Sequence, residues 1–289
     1  MSKKQVRMSI SACLAVLAVG AVVFSDQEAR KAESNDKGRG VSASDTARAG
    51  QDIEGIGAGL AALDHAAKLG KYTFIFFYRS DDEPTQRMRK VFDTALGKLA
   101  ERAEPVAVRV TNPAEKPIVS KFKVGNAPMP FVFSVAPNGA VVRGYRKAFT
   151  EQQLAGAFAS PGLEKVLKSL QDGKMTFLSV QNGSTKFDAE AMRGVSEFRS
   201  DPKYAKTTEV VMIDPSDAAE AQFLKNLKVD PHTPEAVTVL LAPPGKIVGT
   251  FKGATNKSTL VATVRKAASG CGSGCGPKGC KPRKKTKSV

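Results

Sequence analysis

Tryptophan is absent from this 289-residue chain, histidine occurs only as His65 and His232, and no cysteine lies between Cys13 and Cys271. Each absence removes a class of chemistry. A body without thiols has neither a cysteine nucleophile nor a dithiol pair. Two isolated histidines with no nucleophile or ligand pattern around them give no catalytic triad and no zinc site. No glycine-rich phosphate loop follows an apolar run, which argues against nucleotide use. The C-terminal cations are interleaved with no aromatic residue, so the stacking platform of a single-strand binder is missing and no nucleic-acid partner is expected.

The chain begins with Lys3, Lys4 and Arg7, followed by an apolar run from Ile10 to Phe24. This is the order of a secretory signal, and the run is short for a membrane span, which wants roughly 20 apolar residues. A signal over 1–25, cleaved after Ser25, is expected; the alternative is a retained N-terminal anchor. Ile10-Ser11-Ala12-Cys13 resembles a bacterial lipobox but precedes the apolar run instead of following it, so Cys13 reads as an ordinary signal residue. The expected location is the periplasm or cell envelope. Residues 26–50 are rich in Ser, Ala, Gly and alternating charge and read as a disordered linker.

The formal charge is +16. The leader holds three of the positive charges, and Lys278, Lys281, Arg283, Lys284, Lys285 and Lys287 hold six more, so the body is only moderately basic. A tail of this kind attracts an anionic envelope surface or an acidic partner, or serves as a solvated face.

The body repeats one pattern. A helical stretch ends near Lys71, Tyr72–Arg79 is an unbroken apolar strand, and a helix opened by Pro84 is expected through Ala103. Then come a strand over 105–111, a short helix through Ile118–Phe122, a strand Phe131–Val135, a turn at Pro137-Asn138-Gly139, a strand Ala140–Tyr145 and a helix Thr150–Phe158. The Asn-Gly pair is expected to supply the positive backbone angles of a tight hairpin. The order then restarts: helix 163–170, strand 175–180, helix 188–198, strand 208–214, helix 218–227, a hairpin through Gly245, helix 257–267. Gly139 recurs as Gly245 and Phe74 as Phe177, a period of about 105 residues.

This order resembles the thioredoxin-like superfamily, in tandem. The fold class expected is α/β, with two mixed sheets flanked by helices over 51–160 and 161–268, the second copy diverged. The resemblance places Asp82, Glu83, Pro84 and Thr85 over the family's Cys-Gly-Pro-Cys, with the proline kept and both cysteines gone. The loop before the second helix of the second copy, 181–187, has no cysteine either, so neither copy can be an oxidoreductase in the family's usual way. Asp81, Asp82 and Glu83 read mainly as a cap for the following helix, their functional alternative being a cation or basic-partner site. Met129 and Pro130 fall at the family's cis-proline, against which members hold extended peptides. In the second copy Ala236 takes the place of Pro130, and Thr233-Pro234 is open to either isomer.

What chemistry remains lies in the tail, 269–289. Cys271, Cys275 and Cys280 are spaced C-x3-C-x4-C among glycines. They support three readings: a thiophilic metal site for Cu(I), or for Zn with a further ligand; a disulfide with one thiol left over; or a tail with no chemistry. The expectation is an exported, redox-inactive binding or scaffold protein with an unidentified protein or peptide partner. The alternatives are a thiol-disulfide oxidoreductase that uses the tail cysteines and a metal carrier.

Overall fold

A computed structural model describes residues 57–146 and 148–269. The leader, the linker and the tail with Cys271, Cys275 and Cys280 lie outside the described residues. The chain divides between Ala159 and Ser160 into two compact units.

In the first unit α1 (Ala58–Lys68) leads into β1 (Tyr72–Tyr78), α2 (Glu83–Gly97), β2 (Ala103–Arg109), α3 (Lys116–Phe122), the hairpin strands β3 (Phe131–Val135) and β4 (Val141–Arg146), and α4 (Glu151–Ala155). The sheet order is β2-β1-β3-β4, with β2 parallel to β1 and the other pairs antiparallel. β1 is central and covered on both faces, which is why its sequence is apolar without alternation. Ile75 and Phe77 join Leu63, Val108 and Ile118 on one face, while Phe76 meets Phe92 of α2 on the other, ring centres 5.4 Å apart. Fully burying each such side chain contributes roughly 1.5–3 kcal/mol. Pro105 sits in β2, an edge strand, where a missing N–H is tolerated.

Three sequence expectations are corrected here. α2 stops at Gly97 instead of reaching Ala103, because Ala103 is the first rung of β2 opposite Tyr72, and the N–H groups of Arg102 and Ala103 both turn back to the Leu99 carbonyl. α4 stops at Ala155 instead of Phe158. Its Thr150–Gln153 capping box fixes the start, and beyond Gly156 the chain is drawn to the sheet: Ser134 donates to the Ala157 carbonyl at 2.5 Å, and the Ala159 N–H donates to the Tyr72 hydroxyl at 2.9 Å. In the first hairpin only Gly139 has a positive φ, at 82°. The Gly139 N–H closes a turn on the Ala136 carbonyl with Pro137 and Asn138 at its centre, and proline's fixed φ excludes a turn with two positive angles.

The second unit repeats the plan with α5 (Pro161–Gln171), β5 (Met175–Val180), α6 (Asp188–Arg199), β6 (Thr208–Ile213), α7 (Ala221–Leu227), β7 (Val237–Ala242), β8 (Lys246–Lys252) and α8 (Lys257–Ser269), in the sheet order β6-β5-β7-β8. Phe177, Phe198 and Tyr204 fill one side of the sheet, and Leu178, Val180 and Leu224 the other. Here the hairpin turn is Pro243-Pro244 in cis, closed by the Gly245 N–H on the Ala242 carbonyl. Proline in cis at the third position is the type VI solution to the same corner.

Both units share a device invisible in the periodicity. Glu115 and Glu220, only 6% and 4% exposed, each stand just before the short helix α3 or α7. Glu115 accepts the Gly59 N–H in α1 at 3.2 Å, and Glu220 accepts the Gly162 N–H in α5 at 2.6 Å and the Ser160 hydroxyl at 2.5 Å. Each buried carboxylate thereby satisfies an orphan donor at a helix start and ties the first helix of its unit to the crossover.

Candidate functional site

β1 carries the chain into a four-residue loop, and Asp82 ends it as the N-cap of α2. Its carboxylate accepts the Thr85 N–H at 3.0 Å and the Ser80 hydroxyl at 2.8 Å. Hydrogen bonding from the Thr85 side chain foremost, then from the Ser80 hydroxyl and the Thr85 N–H, holds the Asp82 carboxyl below the usual carboxylate range. Thr85 is buried at 2% exposure beneath the first turn, and Pro84 lies within that turn, where its missing N–H is no loss. Asp81 and Glu83 do not join Asp82: Glu83 pairs with Arg87 at 3.5 Å, and the Asp81 carbonyl accepts from the Gln86 side chain at 3.0 Å. The loop is thus a helix cap, and among the described residues no group of His, Cys, Asp and Glu is placed to hold a metal.

Met129-Pro130 is cis, directly before β3. Phe131 pairs with Phe77, one residue from the end of β1, so the proline and the Asp82 loop lie at the same end of the sheet. The Arg79 guanidinium donates to the Gly125 carbonyl at 3.0 Å and links the two segments. Pro130 is buried, and the partly buried Met129 side chain packs on the Ile75–Phe77 cluster. Among the described residues the Met129 N–H and carbonyl have no hydrogen-bond partner.

The second unit differs at the same place. Val237 pairs with Val180 as Phe131 pairs with Phe77, so Ala236 occupies the position of Pro130, and neither its bond nor Thr233-Pro234 is cis. The loop before α6 runs from Gln181 to Phe187, longer than its counterpart, and holds itself through Asp188, which accepts the Gly183 N–H at 2.9 Å and the Thr185 hydroxyl at 2.5 Å. Lys186 from this loop forms an isolated parallel bridge with Glu235.

The histidines stay apart from both places. His65 lies on α1 against Glu104 at 3.3 Å, and His232 stands in the approach to β7, where its N–H donates to Asp230. Among the described residues no helix is long and apolar enough to cross a membrane. The paired glutamates were not anticipated from sequence; a signal was available in Asn112-Pro-Ala-Glu115 and Asp217-Ala-Ala-Glu220, each an Asx-capped turn ending in glutamate.

No protein-family model matches the sequence, and no curated protein matches it. Similar solved structures include oxidised thioredoxin O2 from Arabidopsis thaliana, at 12% identity and TM-score 0.29, covering 39% of this chain and 90% of that one. The first two thioredoxin domains of Saccharomyces cerevisiae Eps1p are 11% identical with TM-score 0.28, covering 75% and 98%. Human ERp44 is 12% identical with TM-score 0.32, covering 71% of this chain and 55% of its own. The fold itself is read from the strand order, the parallel first crossover, the closing hairpin and, in the first unit, the cis-proline before it. By that architecture the chain carries two thioredoxin-like domains in tandem.

Proposed function

We propose that this is an exported, redox-inactive binding or scaffold protein that holds an extended segment of a protein or peptide partner along the cis-proline loop of its first domain. The observation that carries this reading is the pairing of a disarmed helix start with an open backbone edge. Asp82 and Thr85 stand where the dithiol would be and are committed to capping and packing, while among the described residues Met129 leaves a donor and an acceptor unpartnered. A strand-like ligand gains affinity from such main-chain pairs and specificity from the side chains beside them. The basic tail would meet an anionic envelope surface, and Cys271, Cys275 and Cys280 would hold Cu(I) or Zn or form a disulfide.

Short unstructured peptides that bind the full chain are expected to slow amide exchange at Met129. Peptides that bind and protect no amide between Ala127 and Phe131 would remove this site from the account. Anaerobically purified protein is expected to carry either stoichiometric metal with protected thiols or one titratable thiol among the three. Metal that stays bound after deletion of residues 270–289 would contradict a tail site.

A further inference from the structure

We infer that the outer edge of β2 pairs with β2 of a second copy of this chain, antiparallel about a two-fold axis at Ala107, so that two first domains share one continuous sheet. The inference stands apart from the cis-proline reading, because β2 lies on the far side of β1 from β3. The two ends of the β1–β2 ladder set its direction: the Tyr72 N–H donates to the Arg102 carbonyl, and the Val110 N–H to the Tyr78 carbonyl. Even-numbered residues of β2 therefore turn their backbone groups toward β1, and odd-numbered ones turn theirs outward.

Some of the outward groups are already committed. The Ala103 N–H donates to the Leu99 carbonyl, and the Arg109 carbonyl accepts the Asn112 N–H. Pro105 has no N–H. Among the described residues, what stays open from Pro105 to Arg109 is the Pro105 carbonyl, both groups of Ala107 and the Arg109 N–H. This set is its own complement, as a two-fold interface requires. With Ala107 opposite Ala107 of the second copy, the two residues exchange both bonds, and each Arg109 N–H meets a Pro105 carbonyl. The proline then faces the one carbonyl that is already occupied. Sliding one strand by two residues in either direction leaves an Ala107 group without a mate.

The side chains permit the approach. Pro105, Ala107 and Arg109 are exposed on one face of the sheet. Ala107 would meet only a methyl group, and each Arg109 would stand across from a proline, roughly 14 Å along the strand from its copy and beyond the Debye length. On the other face Gly59 of α1 lies against Val108 and His65 against Glu104. The neighbouring positions on that side of α1 are Ala58 and Ala61, small enough to leave room for a second α1. The second domain's edge lacks the match. There Val210 replaces Pro105 and Met212 replaces Ala107, and the Val210 N–H would face the Asp214 carbonyl, which already accepts the Asp217 N–H.

An interface this small is weak and concentration-dependent, so the test uses the full chain at about 0.5 mM. Cys13, Cys271, Cys275 and Cys280 are replaced by serine, which removes dimers made by native disulfides. Sedimentation is expected to show a dimer, and Ala107→Pro, which deletes the N–H donors at the axis, is expected to abolish it. A second variant does not depend on how Ala107→Pro folds. Ala107→Cys on the same background is expected to link two chains on mild oxidation, since residues opposed in a hydrogen-bonded pair have Cα atoms about 5.5 Å apart, within reach of a disulfide. Arg109→Cys, far from its copy, is expected to stay unlinked. A chain that remains monomeric overturns the inference, and protection of its Ala107 amide from exchange would assign the edge to another segment of the same chain. Association that a folded Ala107→Pro variant leaves intact, or linking that is equal at positions 107 and 109, overturns it as well.

Discussion

Glu220→Ala is expected to lower the stability of the second domain by about 2–3 kcal/mol, seen as an earlier transition in thermal or urea unfolding. The carboxylate is almost wholly buried and bonds both the Gly162 N–H and the Ser160 hydroxyl. Removal leaves a buried backbone donor with no acceptor at the start of α5, which costs about 1–3 kcal/mol, and leaves a void as well. For a unit of this size each kcal/mol moves the midpoint by roughly 4–8 °C. Glu220→Gln keeps the volume and one acceptor oxygen, so a smaller loss is expected. Glu115→Ala should cost the first domain less, since its bonds to Gly59 are longer, at 3.2 and 3.3 Å. A Glu220→Ala variant within about 0.5 kcal/mol of wild type, the usual scatter of surface substitutions, would show that the carboxylate does not anchor α5.

Gly194→Ala is expected to destabilise the second domain against the direction of helix propensity. Alanine in a helix interior is favoured over glycine by about 1 kcal/mol. At Gly194, however, an added Cβ would stand 2.3 Å from the Thr255 carbonyl oxygen and 2.7 Å from its carbon. The obstacle is backbone, in the segment that starts α8, so the helix and that segment must separate. Overpacking of this kind costs about 1–3 kcal/mol and sometimes more, enough to reverse the propensity gain. Gly97→Ala is the control, because nothing lies within 4 Å of its Cβ position at the end of α2. It should be neutral or stabilising by up to about 1 kcal/mol. If the two substitutions behave alike in urea unfolding, close contact at Gly194 is not what excludes a side chain there.

The strands were the most legible part of the fold. Tyr72–Tyr78 announces a central strand by its apolarity, and the recurrence of Phe74 and Gly139 exposed the tandem plan that places Met175–Val180 as its counterpart. Helix ends were less legible wherever a tertiary partner set them. Ala103 leaves the helical pattern only because Tyr72 pairs with it, and residues 157–159 leave it because Ser134 and Tyr72 bind their backbone. The hairpin type was decided by Pro137 and not by Asn138-Gly139. At the candidate site, sequence reasoning reached Asp82, Thr85 and Met129-Pro130 through family resemblance. It missed the bond of Glu220 to Gly162 and the bridge of Lys186 to the β7 approach, because both join positions some fifty residues apart with no local pattern to mark them.

On the proposed reading the first domain keeps the architecture of a dithiol enzyme and lacks only the thiols. Asp82→Cys with Thr85→Cys would put one thiol at the N-cap of α2, facing the N–H of residue 85 and the positive end of the helix, and a second one turn later. The decisive measurement is the reduction of an insulin-type disulfide by the full chain and by this double variant, each with the same supply of external dithiol. Background turnover is expected for the wild type and turnover above background for the variant. Wild-type turnover, whether it survives Cys271→Ser and Cys275→Ser or depends on those cysteines, would contradict a redox-inactive binding protein.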